Sequence, residues 1–539
     1  MVNKFYIVFI FIVLHKVSLG QISNRNAADT STTNKTLIRI LQADRLNFEE
    51  LDTANKYQSA AGNVVLKQEN TLFYCDSVVL NKLSNLLEAF GKVHINDADS
   101  VNIYSDYLKY IGSEKKAYLN KNVKLTDGRG VLTTNELEYD IATRTGIYKN
   151  GGKVINKKTI LTSKEGTYNG ELRDFYFRKN VQLIDPKYKL TTDSLLYNTY
   201  SEVATFVTAT TIKTKTQQIN TASGYYDLRN KKTYFGKRPL VVDGATILIA
   251  DEIATDEASG FGEASGNVVL KDTTEGMAIY ANNIKTNRKN SSFIATQKPV
   301  AVIKQGVDSF FISADTLFSA KLSDILPERS VSNLATDTLS FISKAMALAD
   351  SGKNRIVEAY YHVRIFSDSM QAVGDSLFYT SYDSVFRLFT NPIAWAQGNQ
   401  ISGDTLYIFT EKQQPKQIKV FENALAINKA GADYLNQVKG RSINGFFKDG
   451  NIYYLRAKGM AESVYYPVDD SKRFIGVNKL NADAIELYFE NKKPEKIKPI
   501  SGVKGKMYPM LRVNHQEIKL KGVNWQESKR PKSKAELFE

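Results

Sequence analysis

The sequence predicts an all-β protein, an elongated antiparallel stack built from repeats with about three strands in each 29-residue unit. Three observations lead there. The 539 residues include 30 Tyr and 27 Phe alongside many Val, Ile and Thr, residue types that suit a pleated, half-buried surface. A short string recurs at near-constant spacing along most of the chain. Within each copy, apolar and polar residues alternate with a period of two.

The recurring string is a polar residue, an aliphatic two positions on, and an aromatic or aliphatic two further on. Clear copies are Asp44-Arg-Leu46-Asn-Phe48, Asp76-Ser-Val78-Val-Leu80, Asp106-Tyr-Leu108-Lys-Tyr110, Asn135-Glu-Leu137-Glu-Tyr139 and Asp193-Ser-Leu195-Leu-Tyr197. It continues at Asp251, Asn282, Asp315, Asp375 and Asp404, with weaker copies at Lys164, Ala222, Asp433 and Glu462. From 106 to 251 every step is 29 residues, and 29 recurs from 375 to 462. Leu137 and Tyr139 share one face of their strand while Glu136 and Glu138 share the other, so one face is dry and one wet.

A second string precedes the anchors. Gly62-Asn-Val-Val-Leu-Lys67 recurs letter for letter as Gly266-Asn-Val-Val-Leu-Lys271, with looser copies at Gly91, Lys121 and Lys179. In other units Pro239, Pro299 or Pro392 stands at the start of this strand, where no ladder donor is needed. The anchor Asp residues repeat in every unit, which fits short side chains that hydrogen-bond a nearby turn better than a catalytic pair; a ladder of ligand-binding carboxylates is the alternative. Units this small cannot each hold a core, so their dry faces must stack into one continuous interior. At ~4.8 Å per strand, three strands shared between two facing sheets advance the stack by roughly 7 Å per unit.

Segment boundaries follow from the rhythm. Repeats run over 37–320 and 355–490. Between them, 321–354 loses the period and reads as an irregular joint or insertion, with a joint between two slabs slightly favoured; Asp337-Thr-Leu339-Ser-Phe341 looks like an anchor out of step. Residues 491–539 read as a basic tail outside the slab. From Lys504 to Lys534, nine cations, Lys504, Lys506, Arg512, Lys519, Lys521, Lys529, Arg530, Lys532 and Lys534, face only Glu517 and Glu527, which suggests a solvated tail or an electrostatic contact with anionic lipid or a partner.

The N-terminus reads as an export signal, residues 1–20. Lys4 is followed by the apolar run Phe5–Leu14, and Ser18 and Gly20 place small residues before a cut at Gln21. Residues 21–36 are expected to be flexible. Ten apolar residues are too few to span a bilayer, which needs ~20. The expected location is therefore the periplasm or cell envelope. Lys+Arg 72 against Asp+Glu 57 leaves a formal charge of +15, which favours an anionic partner. Outside the cytoplasm that partner is envelope glycolipid and not nucleic acid. The single Cys75 excludes an intramolecular disulfide and any cysteine-built zinc or iron–sulfur site.

Enzyme signatures are missing. No Gly-x-Ser-x-Gly elbow or His-Glu-x-x-His occurs. His94 and His362 lie within strands and read as outward-facing. Asp97-Ala-Asp99 lacks the distal Gly and Glu of a calcium loop. No enzyme, cofactor or metal is expected.

The Ala61-Gly-Asn-Val-Val-Leu66 strand leading to Cys75-Asp-Ser-Val78, its counterpart Ser265-Gly-Asn-Val-Val-Leu270 leading to Ala281-Asn-Asn-Ile284, and Ser105-Asp-Tyr-Leu108 resemble the OstA/LptA family. The likeness spans about Leu37 to Phe489. It differs from the short LptA pattern in length, and it lacks the barrel of the related LptD. The resemblance implies a β-jellyroll that acts as a periplasmic bridge for lipopolysaccharide in outer-membrane assembly. Lipid A acyl chains would ride in its apolar interior. It also implies end-to-end contact with other jellyroll components, on the inner-membrane exporter side and the outer-membrane translocon side. The inward-facing candidates for lipid contact are then Leu46, Val64, Leu66, Val78, Val93, Ile95, Leu108, Val123, Leu125, Leu137, Val181, Leu183, Leu195, Ile253, Val268, Leu270, Ile284, Leu317, Leu377 and Leu406. Two other readings stay open: a structural envelope spacer without ligand, and a polysaccharide-binding or -processing β-helix.

Overall fold

The computed structural model describes residues 37–539 apart from 51–55, 275, 306–307, 325–353, 412–413 and 491–492. The export signal, the 21–36 stretch and the Asp337 anchor lie outside the described residues.

The fold rests on long strands that change sheet half-way. In the strand Lys56–Gln68, residues 56–61 pair with Arg45–Glu50, whereas residues beyond Val64 pair with Arg39–Gln42. The break falls at Gly62-Asn63, which the register of the next strand skips. The same skip occurs at Gly91-Lys92, Lys121-Asn122, Lys179-Asn180 and Gly266-Asn267. Both residues of each corner have positive φ, from 41° at Lys92 to 81° at Gly62. Two successive left-handed residues make a bulge that turns the strand out of one sheet and into the other. Lys237-Arg238, Gln297-Lys298 and Thr390-Asn391 share these dihedrals, and each is followed by the proline noted above.

All the pairings are antiparallel, and the two halves build two facing sheets around one hydrophobic cluster that runs from Ile38 to Leu487. Starting at Asp76, one unit gives Ser77–Asn81 and Leu86–Phe90 to one sheet, and Val93–Asp97 and Val101–Ser105 to the other. Each unit therefore supplies two strands per sheet, not about three in all. A bent strand is continuous in sequence yet gives one segment to each sheet. The advance per unit becomes about 10 Å.

The anchor carboxylates lock the corners. Asp44 N–H donates to Gly62 O at 2.9 Å, and Asn63 Nδ2 donates to Asp44 Oδ2 at 3.1 Å. Asn122 on Asp106 (2.7 Å), Asn267 on Asp251 (2.8 Å) and Asn423 on Asp404 (3.1 Å) repeat the contact. A Cβ added at Gly266 would collide with the Asp251 carboxylate.

The period break at 321–354 is an insertion within one ladder. Lys321 pairs directly with Arg355, and the strand Arg355–Phe366 also pairs with Asp308–Ser313. The two blocks of repeats are thus continuous.

Residues 491–539 do not form a tail outside the slab. Lys493–Ile500 and Lys504–Tyr508 are the last strands of the two sheets. The chain then doubles back over the outer face of one sheet. Leu520 N–H donates to Gln437 (2.8 Å), Gln526 N–H to Gln400 (2.7 Å), and Arg530 Nε to Gln371 (2.8 Å). Arg364 bonds Glu536 at 3.2 Å, and Phe538 packs on Tyr280 and Phe311. Ile518, Leu520 and Leu537 are buried, while seven of the nine cations stay exposed. The charge density hid three widely spaced apolar anchors.

Two outcomes follow. Gly266→Ala should destabilise the protein by about 1–3 kcal/mol, because it strains a left-handed residue and displaces Asp251; an unchanged denaturation midpoint would contradict the corner geometry. Deleting residues 509–539 should lower the melting temperature, since each buried aliphatic side chain contributes about 1.5–3 kcal/mol. A truncated chain that melts where the full chain does would mean that the returning segment adds nothing to the slab.

Candidate functional site

Inside the stack, one row of side chains decides where the two sheets can part. Following cross-strand partners through one sheet, the row reads Tyr110, Ala117, Tyr139, Gly146, Tyr168, Phe175, Tyr197, Ala204, Tyr226. Large rings are interleaved with Ala, Gly or Phe, and the five tyrosines are 29 residues apart. All five are buried. Their rings fill the gap to the facing sheet: Tyr110 packs on Phe73 at 4.8 Å and Tyr226 on Tyr188 at 4.5 Å. Three of the hydroxyls bond the facing hairpins. Tyr110 donates to Gln68, Tyr139 donates to Asp97 at 2.9 Å, and Tyr197 accepts from Asn156 at 3.1 Å. Ion pairs span the same edge, Lys115 to Glu69 at 2.7 Å and Lys157 to Glu202 at 2.6 Å.

Beyond Tyr226 the row continues Thr233, Thr255, Gly262, Thr286 and only then Phe293. Four small residues in succession cannot fill the space that tyrosines fill earlier. A cavity of about 210 Å³ results, walled by Ile219, Phe235, Val241, Leu248, Ile253 and Leu270 among others. It shares Asp243, Thr246, Leu270, Thr286 and Arg288 with an adjoining recess of about 450 Å³. Met277, Ile279 and Phe293 continue the apolar wall there, and Lys271, Arg288, Lys321 and Arg355 stand at the recess. Asp243, Asp256, Glu257, Glu263 and Asp272 complete the polar border. An apolar chamber with a charged mouth can hold the hydrocarbon part of an amphiphile.

The candidate residues fall into three groups. Val64, Leu66, Val78, Val93, Ile95, Leu108, Val123, Leu125, Leu137, Val181, Leu183, Leu195, Val268, Ile284, Leu317, Leu377 and Leu406 are buried in the common core. Ile253 and Leu270 line the cavity, Leu270 half-buried. Leu46 does not face a closed interior: it is 46% exposed, because its strand is the last of the stack among the described residues. Spacing alone missed Val241, Leu248, Met277 and Phe293. The signal that could have found this region is the replacement of Tyr by Thr at 255, one period after Tyr226.

The histidines sit away from this chamber. His94 stacks between Tyr74 and Tyr104, and His362 is the second residue of a corner, where it bonds Asp315 at 2.9 Å. Burial, then the charge of Asp76, pushes the Cys75 thiol up to about 12, so it is not a nucleophile at neutral pH.

Comparison with known proteins places the repeat. Residues 35–193 match the family described as OstA-like protein. This segment of the chain is similar to OstA-like proteins. The OstA-like segment contains the first three of the column tyrosines, Tyr110, Tyr139 and Tyr168, and ends before the chamber. Among solved structures, the chain is similar to LptH of Pseudomonas aeruginosa, the LptA homologous periplasmic component of the lipopolysaccharide transport device. The identity is 21%, over 20% of this chain and 78% of that one, with a TM-score of 0.18. No curated protein matches.

Burial raises Tyr110, Tyr139, Tyr168, Tyr197 and Tyr226 well above the usual ~10 of a phenol. The protonated phenols are favoured in the folded state, so their contribution is complete below pH ~10. It is lost as pH rises further, where the unfolded chain releases protons first. These tyrosines should therefore ionise, followed by absorbance at 295 nm, only as the protein unfolds in alkali. Full tyrosine ionisation at pH 10–11 with the fold intact would contradict the sealed column.

Proposed function

We propose that the chain carries a lipopolysaccharide-type amphiphile through the cell envelope, with acyl chains in the chamber between the sheets and the phosphorylated head at the recess where Lys271, Arg288, Lys321 and Arg355 stand. One observation carries this reading: the row of Thr233, Thr255, Gly262 and Thr286 opens an apolar interior that tyrosines seal elsewhere. The two volumes together lie within the ~300–1,000 Å³ typical of ligand sites. The OstA-like segment supports the assignment to lipopolysaccharide transport. No helix of the described residues is long and apolar enough to cross a membrane. The export-signal pattern read in residues 1–20 supports a periplasmic site of action. Among the described residues, the terminal strands Arg39–Gln42 and Arg45–Glu50 at one end, and Lys493–Ile500 and Lys504–Tyr508 at the other, each pair on one side. Edges of this kind take up a further strand, which supports end-to-end contact with other bridge components.

The tyrosine-closed units favour a second reading, a spacer in which the sealed stack only sets a distance. One experiment separates the two. A photo-crosslinking residue at Leu248 or Leu270 should label lipopolysaccharide in cells, whereas one at the sealed Leu137 or the exposed Lys109 should not. Absence of label at every site in a folded protein would favour the spacer, and equal label at Lys109 would remove the chamber from the account.

A further inference from the structure

The closed edge of the stack carries a run of charge pairs that is interrupted at Arg173. Hairpins of one sheet place a long side chain at positive φ every 29 residues: Lys115, Arg144, Arg173, Glu202 and Lys231. Three of them meet an opposite charge from the facing hairpins: Lys115 with Glu69 (2.7 Å), Arg144 with Asp97 (3.9 Å) and Glu202 with Lys157 (2.6 Å). Arg173 instead shares Tyr200 with Arg129 of the facing hairpin. Their guanidinium carbons lie 5.7 and 4.7 Å from its ring centroid, and Arg229 adds a third at 5.6 Å. Arg229 is committed to Glu202 at 3.1 Å and to the Tyr200 carbonyl. Among the described residues Arg129 and Arg173 have no ion pair. The nearby Asp127 spends its oxygens on the N–H groups of Arg129 and Gly130 and on the Thr199 hydroxyl.

From this we infer an anion site on the outside of the slab, in which Arg129 and Arg173, steadied by the face of Tyr200, bind a phosphate-bearing group. Like charges held around one ring repel, and a dianion between them removes that cost. The planar fork of guanidinium matches phosphate oxygens in pairs, and cation–π contact orients it beforehand. Both arginines and Tyr200 are exposed, so a ligand reaches them without any opening of the stack. The site stands apart from the chamber and does not depend on lipid occupying it.

Titration calorimetry of the full mature chain with pyrophosphate at low ionic strength tests the site. The protein should bind, and Arg129→Gln combined with Arg173→Gln should weaken binding at least about tenfold, as expected for the loss of two charge-assisted contacts. Lys109→Gln, an exposed cation elsewhere, should leave it unchanged. Flotation with phosphatidylcholine vesicles, with and without phosphatidic acid, identifies the source of the phosphate. Arginine-dependent binding to the acidic vesicles as well assigns the site to a lipid headgroup, and binding of pyrophosphate alone assigns it to a soluble phosphorylated molecule. No binding by the unmodified chain, or equal binding by the double variant, overturns the inference.

Discussion

The corner dipeptide is the constraint on which the rest of the structure depends. Without two successive left-handed residues at Gly62-Asn63, Lys121-Asn122 and their equivalents, each long strand would run on in one sheet and leave one face uncovered. The bend folds every strand over its own continuation, so a single chain supplies both sheets and closes one edge covalently. Residues other than glycine pay a conformational cost there, and Asp44, Asp106, Asp251 and Asp404 offset it by binding the Asn at the corner. The anchor carboxylates are thus structural and need no ligand to explain their repetition.

Once one edge is fixed by corners, the opposite edge is free to be open or shut, and side chains decide which. Interleaved large and small residues shut it: rings from Tyr110 to Tyr226 reach across, with Ala117, Gly146 and Ala204 leaving them room. Where Thr and Gly take the same row, the apolar interior becomes reachable over about three strand pairs. The same backbone therefore serves as rigid filler in one part and as a container in another. Burying a phenol with its hydroxyl bonded is favourable, whereas a half-buried wall of Val241, Leu248 and Leu270 carries a standing hydrophobic cost that a ligand would relieve.

Much of this was legible in the sequence. The 29-residue period, the anchor residues and the prolines each mark a corner, because local dihedral demands select Asn, Gly and Pro directly. Most apolar anchor positions are buried as their alternation implies. The strand count per unit was not legible, since a bent strand and a straight one share the same alternation. The chamber was hidden for a related reason: it depends on which residues become cross-strand neighbours, so Thr255 and Thr286 look unremarkable until they stand beside Gly262. The returning C-terminal segment was masked by its lysines. Its contacts rest on Ile518, Leu520, Leu537 and three buried glutamines far away in the chain, at positions 371, 400 and 437.

The central claim is that the row of small residues is what makes the interior accessible. Thr255→Tyr tests it, because Gly262 beside it leaves room for a ring as Gly146 does for Tyr139 and Tyr168. Purified variant and parent would be compared for co-eluting lipid A by mass spectrometry. The account predicts that the parent retains lipid and the variant, equally stable or more so, does not. Undiminished lipid in a folded Thr255→Tyr protein would contradict it.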